Sequence, residues 1–401
     1  MLLNAFVGVL IGTERTLVPL LGEREFLLGS STAVLSFVAT FGVTKAFANL
    51  AAGRWAEAGR RRVLLTGWVA GLPVPLILML APPPHWWLIL VANVLLGVNQ
   101  GLCWSMTVVM KVDIAGEDRR GLAIGANEFA GYAAVALAAM ATGFLAATYG
   151  TRPIPFLLGA VAAVAGILLT AVAIPETRHL LRPGAGASRG PVRGGLASFV
   201  HFTAREPGMP ALNQAGLVTN FKDGVAWGLF PLLFAASLAD AGAVGLLVGL
   251  YPLTWGVLQL ATGPLSDRIG RKGLIVTGLA VQAASLFAIA ALPTYAGWVA
   301  GMVGLGVGTA MVYPTLQAAV GDAVRPEDRA PALGTYRFWR DLGFAFGAVT
   351  AGAIVDILAT GVSGIPVAVA VTGMVALVSG LTVAAALPSA RKAWGFGGVR
   401  A

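Results

Sequence analysis

Along the 401 residues, long apolar stretches alternate with short polar breaks from one end of the chain to the other. A helix rising about 1.5 Å per residue needs about 20 apolar residues to cross a hydrocarbon core of about 30 Å, and these stretches are long enough. They lack the period-two alternation of membrane strands, which argues against a β-barrel. The breaks predict twelve helices near 1–21, 30–53, 63–81, 87–110, 121–148, 154–175, 208–236, 243–262, 274–292, 297–320, 331–357 and 366–387. The expected fold is all-α and integral to the membrane. The first stretch begins at Met1 without a basic leader, and no small-residue cleavage site precedes Glu23-Arg24-Glu25, so it is expected to be a retained helix.

Composition agrees: 57% of residues are hydrophobic, only 11% are charged, and mean hydropathy is +0.81. That is more apolar surface than a water-soluble domain can bury. A single cysteine, Cys103, excludes an internal disulfide, and His85, His179 and His201 all fall at loops or helix ends, so no metal cluster is expected in the membrane. The net charge of +9 could suggest a nucleic-acid partner, but its distribution gives another reading. With both termini cytoplasmic, the inner loops and ends hold 20 of the 27 basic residues, and the outer loops hold only Arg24 and Arg152. The positive-inside rule therefore sets the orientation in a bacterial-type inner membrane, and no nucleic acid is needed.

Laid over itself at an offset of about 210, the chain matches repeatedly. "AAGRWAEAGRRRVLLTG" meets "ATGPLSDRIGRKGLIVTG", Asp113 meets Asp322, Trp104 meets Tyr313, and Gly143 meets Gly352. Six helices thus occur twice in the same direction, predicting two bundles around a central cavity, related by an axis along the membrane normal. The units are expected at 1–177 and 207–401, joined by a Gly-, Pro- and Arg-rich cytoplasmic linker at 178–206 with a short surface helix near 196–205. The stretch "GPLSDRIGRK", its first-half copy "GRWAEAGRRR" and "PETR" after helix six resemble the major facilitator superfamily, in which this loop joins helices two and three and recurs between eight and nine. The resemblance covers nearly the whole chain and implies a secondary transporter.

It also implies a gating role for Gly53, Glu57, Arg60, Gly263, Asp267, Arg268, Gly270, Arg271 and Lys272. Asp267 would pair with a nearby arginine and with the start of helix five near Gly121, while the alternative is topology anchoring alone. In the first-half copy Glu57 stands where aspartate is expected and Ala58 replaces an arginine, so that lock should be the weaker one.

Nine charged residues fall well inside predicted spans, away from their ends: Glu14, Arg15, Lys45, Glu128, Lys222, Asp223, Arg337, Arg340 and Asp341. At roughly 2.5 to 3.5 kcal/mol each, lipid exposure of all nine would cost on the order of 20 to 30 kcal/mol, so they should face a shared cavity or one another. Counting from the cytoplasmic ends places Glu128 and Arg337 about 12 Å deep and Asp341 about 18 Å deep. The repeat sets Glu128 opposite Arg337, near the midplane where such transporters bind substrate and coupling ions.

Glu128, beside Asn127 and Tyr132, is either a proton-coupling carboxyl or half of a permanent ion pair. Arg337, Arg340 and Asp341 share a helix face, as part of the site or, alternatively, with Asp341 only neutralising Arg337. Lys222 and Asp223, next to Asn220, point about 100° apart and are expected to face different partners. Glu14 and Arg15 suit either a gate ion pair or ligand contact, and Lys45 is expected to pair with Glu14 or Glu128. Trp104, Tyr132 and Tyr313, with Asn127 and Asn220, are the candidate cavity lining, and Trp227, Tyr251, Trp255 and Trp339 are further aromatics.

Five of the nine charges are positive, a small bias toward anionic solutes. "GLGVGTA" at 304–310 lies in an apolar helix with no preceding strand, which fits close helix packing and not a phosphate loop. No GxxxxGK[ST] occurs, so any energy comes from a gradient. The expected function is gradient-driven, proton-coupled transport of a small anionic or amphipathic organic solute by a monomer, with no cofactor, metal or enzymatic activity. Alternatives are a multidrug efflux antiporter and a non-transporting membrane sensor. Superfamily drug antiporters often carry an arginine before "QG" in helix four, where this chain has Gly97, and a proline in helix five, which "GYAAVALAAMATG" lacks.

Overall fold

The computed structural model describes residues 1–56, 59–115, 120–177, 195–238, 240–325, 328–358 and 361–388, and the described residues contain no strand. The first six spans are α1 (Leu2–Arg24), α2 (Ser31–Trp55), α3 (Arg60–Gly71, continued by Pro73–Leu80), α4 (Trp87–Asn99, a π-turn over Gln100–Trp104, then Ser105–Ala115), α5 (Arg120–Tyr149) and α6 (Ile154–Ala173). The second six are α7 (Met209–Ala235), α8 (Ala241–Ile269), α9 (Arg271–Ala291), α10 (Tyr295–Ala323), α11 (Arg329–Ile357) and α12 (Ile365–Ala386). A short helical segment, Leu196–Val200 and His201–Arg205, precedes α7. The twelve spans match the apolar stretches in number and order. Ten are long and apolar enough to cross a membrane; the other two, α7 and α11, carry five of the nine intramembrane charges. α7 is buried along most of its length, and Arg340 and Asp341 of α11 are buried as well, so neighbouring helices, and not lipid, surround these four charges.

Each end of the chain's internal repeat is built the same way on the face that carries the 263–272 loop, called here the loop face. Gly59 before α3 and Gly270 between α8 and α9 both have positive φ (142° and 95°), a conformation that glycine adopts without a Cβ penalty. The arginines that follow do equivalent work: Arg60 Nε lies 2.7 Å from Asp113 Oδ2, and Arg271 Nε lies 3.0 Å from Asp322 Oδ2. Asp113 and Asp322 are the pair matched in the sequence.

Glycine contacts show which side of the interface between the halves is shut. A Cβ on Gly352 of α11 would lie 2.6 Å from Thr32 Cα of α2, and one on Gly143 of α5 would lie 2.7 Å from Gly245 Cα of α8. The two repeat-related glycines therefore each press against a helix of the opposite half, toward the face away from the loop. Gly42, Gly249 and Gly256 are similarly pressed against the opposing half. Nearer the loop face, Gly53, Gly125, Gly263 and Gly334 on the same four helices have open space beside them. The halves are thus sealed on the far side and splayed toward the loop side. Glycines 306 and 308 of the "GLGVGTA" stretch are helix-packing residues: added Cβ atoms would meet Thr254 Cβ at 2.6 Å and the Gly278 carbonyl at 2.7 Å.

Candidate functional site: a charged, aromatic-walled cavity

Between the halves, on the open side of the seal, lies a cavity lined by Lys45, Asn49, Trp104, Ser105, Glu128, Tyr132, Tyr313, Gln317, Arg337 and Arg340. α2, α4 and α5 form one wall, and α10 and α11 the other. The π-turn in α4 shapes the first wall. Gly97 and Gly101 lie flat against α2, where Cβ atoms would meet Thr44 Cβ at 2.8 Å and Ala48 Cβ at 2.5 Å, and the wider turn then brings Trp104 and Ser105 to the cavity.

Trp104 Nε1 donates to Glu128 Oε1 at 2.7 Å, while Glu128 Oε2, though buried, has no hydrogen-bond partner among the described residues. Above Glu128 the two halves meet through aromatic rings: Tyr132 of α5 and Trp255 of α8 have centroids 3.6 Å apart, and Tyr313 of α10 sits edge-on to both. Arg340 lies over the Tyr313 ring at 5.1 Å.

Asp341 joins the halves at the cavity's inner boundary. Its carboxylate is fully buried and accepts from Arg340 Nε (3.0 Å) and Asn220 Nδ2 (3.0 Å), with Lys45 Nζ at 3.8 Å. Asn49 of α2 donates to its other oxygen and accepts from Ser105 Oγ at 2.8 Å. These contacts correct two expectations. Lys45 pairs with Asp341, and not with Glu14 or Glu128, because α2 crosses α11 at this level. Asp341 neutralises Arg340 and Lys45, and not Arg337. Among the described residues Arg337 has no ion-pair partner, which leaves its charge in the cavity.

Lys222 and Asp223 also depart from expectation. Lys222 Nζ lies 2.8 Å from Asp223 Oδ1 and 2.6 Å from the Tyr251 hydroxyl, which itself donates to Asp223 Oδ1 at 2.5 Å. Lysine's long stem turns the ammonium back toward its neighbour, so adjacent side chains share one partner despite the angle between them. Both are almost completely buried outside the cavity lining, as are Glu14 and Arg15. Among the described residues Glu14 forms no ion pair, and its buried carboxyl faces the Asn93 side chain.

Asn127 and Asn220 do not line the cavity. Asn127 accepts from Lys111 Nζ at 2.6 Å, and Asn220 holds Asp341. Trp339 donates to Thr203 Oγ1 at 3.0 Å, against the segment before α7, and Trp227 packs between Phe37 and Phe41.

In the 263–272 loop, Arg271 bridges Asp267 (2.6 Å) and Asp322, and Lys272 Nζ donates to the Leu387 carbonyl at 2.7 Å. Arg268 is exposed. Glu57 lies outside the described residues, as do residues 178–194 of the expected linker and the surroundings of Gly121.

Three lining residues, Asn49, Ser105 and Gln317, and one seal residue, Asp356, were not among the candidates. Gln317 sits one turn beyond Tyr313, so helical spacing could have found it. Asp356, in the last turn of α11, accepts from Ser31 N (2.6 Å), Thr32 N (3.0 Å) and Ser30 Oγ (2.7 Å), capping α2 of the other half. A carboxylate disfavoured at its own helix C-terminus was the available signal.

The family model for the Major Facilitator Superfamily matches this chain over residues 3–239 and 196–396. The chain is a member of the major facilitator superfamily. An uncharacterised transporter of this type from Salmonella typhimurium is 25% identical over 358 residues, 85% of either chain. The multidrug resistance protein MdtG of Citrobacter koseri is 24% identical over 349 residues, 84% of this chain and 82% of its own. The fold matches a variant of the nucleoside transporter NupG (TM-score 0.73, 15% identity, covering 96% of this chain and 99% of that one). It also matches the xylose transporter XylE of E. coli in an inward-open conformation (TM-score 0.71, 16% identity, covering 96% and 95%). The protein is therefore a multi-pass membrane transporter of the superfamily, built on its two-bundle fold.

Proposed function

We propose that this transporter moves a small organic anion with an aromatic or apolar portion, coupled to protons, by alternating access through the central cavity. The observation that carries this reading is the lining: three cations, Lys45, Arg337 and Arg340, face one carboxyl, Glu128, among Trp104, Tyr132 and Tyr313. Arg337 supplies an uncommitted guanidinium for a carboxylate, sulfonate or phosphate, and the rings supply apolar and π contact. The units are residues 1–177 and 207–401, acting as a monomer with the loop face and both termini cytoplasmic.

Glu128 is the coupling group in this reading. Ionised, it competes with the bound anion for the same cations; protonated, it stops competing. Two like charges about 7 Å apart at an effective dielectric of about 20 repel by about 2 kcal/mol, so a proton should tighten anion binding roughly thirtyfold. Binding therefore strengthens as pH falls, and proton and anion travel together.

A second reading, efflux of amphipathic toxic compounds, draws on the likeness to a multidrug resistance protein. Against it, Gly97 stands where drug antiporters carry arginine, and even a Cβ there would lie 2.9 Å from the Phe41 carbonyl. Proteoliposome flux separates the readings. Organic-anion uptake should rise with an inward proton gradient and lose that response in Glu128→Gln; transport of cationic dyes in exchange for protons would favour efflux.

A further inference from the structure

Arg15 on α1, like Arg337, sits inside a span without an ion-pair partner among the described residues, and it lies outside the cavity, sealed at 4% exposure. It is nine residues from the Arg24 end of α1, about 14 Å below the far face, whereas Arg337 is about 12 Å from the loop face. Its guanidinium sits 5.3 Å from the centre of the Trp227 ring on α7, in the other half.

Two donors at this contact are buried without acceptors among the described residues, Arg15 Nε and Trp227 Nε1. The nearby charges do not help: Arg15 repels Lys222 and Lys45, and Asp223 is committed to Lys222 and Tyr251. An unpaired cation and two unsatisfied donors in the membrane are costly, and one ligand type relieves all three: an anion accepting from both N–H groups.

We infer that Arg15 and Trp227 form a second anion subsite, closed here and opened from the far face when the seal parts. This rests on the organic-anion reading above and extends it: the solute has two stations, Arg15–Trp227 on the outer approach and Arg337 on the cytoplasmic one. What covers the outer station is the interface itself. Leu35 of α2 rests on Gly228 of α7, where a Cβ would lie 2.5 Å from Leu35 Cγ, and Phe37 and Phe41 close over Trp227. Separating α2 from α7 and α11 at the far face uncovers the pair.

The subsite can be tested without knowing the natural solute. In Leu35→Cys, a reporter next to the subsite, intact cells are treated with membrane-impermeant methanethiosulfonates, one anionic (sulfonatoethyl) and one cationic (trimethylammonioethyl). The native Cys103 is completely buried and serves as the unreactive control. External reagent should modify the reporter, the anionic one preferentially. A unit charge about 10 Å away in water changes each rate about twofold in opposite directions, so adding Arg15→Gln should lower the anionic-to-cationic rate ratio about fourfold, and Arg15→Lys should restore it.

Ser36→Cys, a near-isosteric change one residue on, is the second reporter if Leu35→Cys does not fold. Failure of either folded reporter to react from outside, or a ratio indifferent to Arg15→Gln, overturns the subsite. If the labelling behaves as expected but proteoliposomes carry no organic anion, the transport reading fails and the outer anion site stands.

Discussion

Asp341 offers the sharpest test of how the buried charges are balanced. Its carboxylate, with no exposed surface, faces Arg340, Lys45, Asn49 and Asn220 at once. Asp341→Asn keeps the shape and one acceptor but leaves two cations without their counter-charge. Removing one partner of a buried ion pair typically costs about 3 to 5 kcal/mol. Unfolding entropy of about 2.1 cal/mol/K per residue, over 401 residues, gives roughly 0.8 kcal/mol per degree, so the melting temperature should fall by about 4 to 6 °C.

Lys45→Met alone should cost less, because Arg340 still neutralises Asp341. The double variant Asp341→Asn with Lys45→Met should recover about 1 to 2 kcal/mol of the loss, since one orphaned cation is gone. Thermal unfolding of detergent-purified protein, followed by tryptophan fluorescence, reads all three. A single Asp341→Asn variant melting within about 1 °C of wild type, or full additivity in the double, would refute the charge balance described here.

The seal predicts opposite outcomes at two sets of glycines. Gly143→Val and Gly352→Val should wedge the far face open, raising external cysteine labelling at the interface, whereas Gly263→Ala and Gly125→Ala, with open space beside them, should leave it unchanged. Lys222→Met strands Asp223 and should cost about 3 to 5 kcal/mol in thermal stability, and Lys222→Met with Asp223→Leu should melt closer to wild type. On the loop face, Asp267→Asn should slow transport more than Glu57→Gln, measured by initial uptake rates; equal effects would contradict the asymmetry between the two loop copies. Calorimetric binding of an organic anion should tighten as pH falls in wild type and become insensitive to pH in Glu128→Gln.

The repeat and the family were legible because the loop motifs recur at a fixed offset, and helix number was legible because the bilayer imposes span length through hydrocarbon thickness. The same constraint identified which charges matter, since a charge inside a span must have a reason. Partner choice was not legible. Lys45 lies in the same span whether it pairs with Glu14, Glu128 or Asp341, and only the crossing of α2 and α11 selects Asp341. Periodicity gave the directions of the Lys222 and Asp223 backbones but not the reach of a four-carbon side chain that folds back on its neighbour. Trp104 was a candidate by its repeat match to Tyr313, yet the π-turn that aims it at Glu128 leaves no mark in hydrophobic spacing. Asp356 was missed because its role belongs to another helix in the other half.

In the proposed cycle the cavity between the halves carries an organic anion together with a proton. The most direct measurement is uptake into proteoliposomes of the organic anion that most raises the melting temperature of the purified protein, with and without an inward proton gradient. The expected result is saturable uptake that the gradient accelerates, that a protonophore collapses, and that Arg337→Gln abolishes. Uptake that ignores the gradient, or that survives loss of Arg337 unchanged, would contradict it.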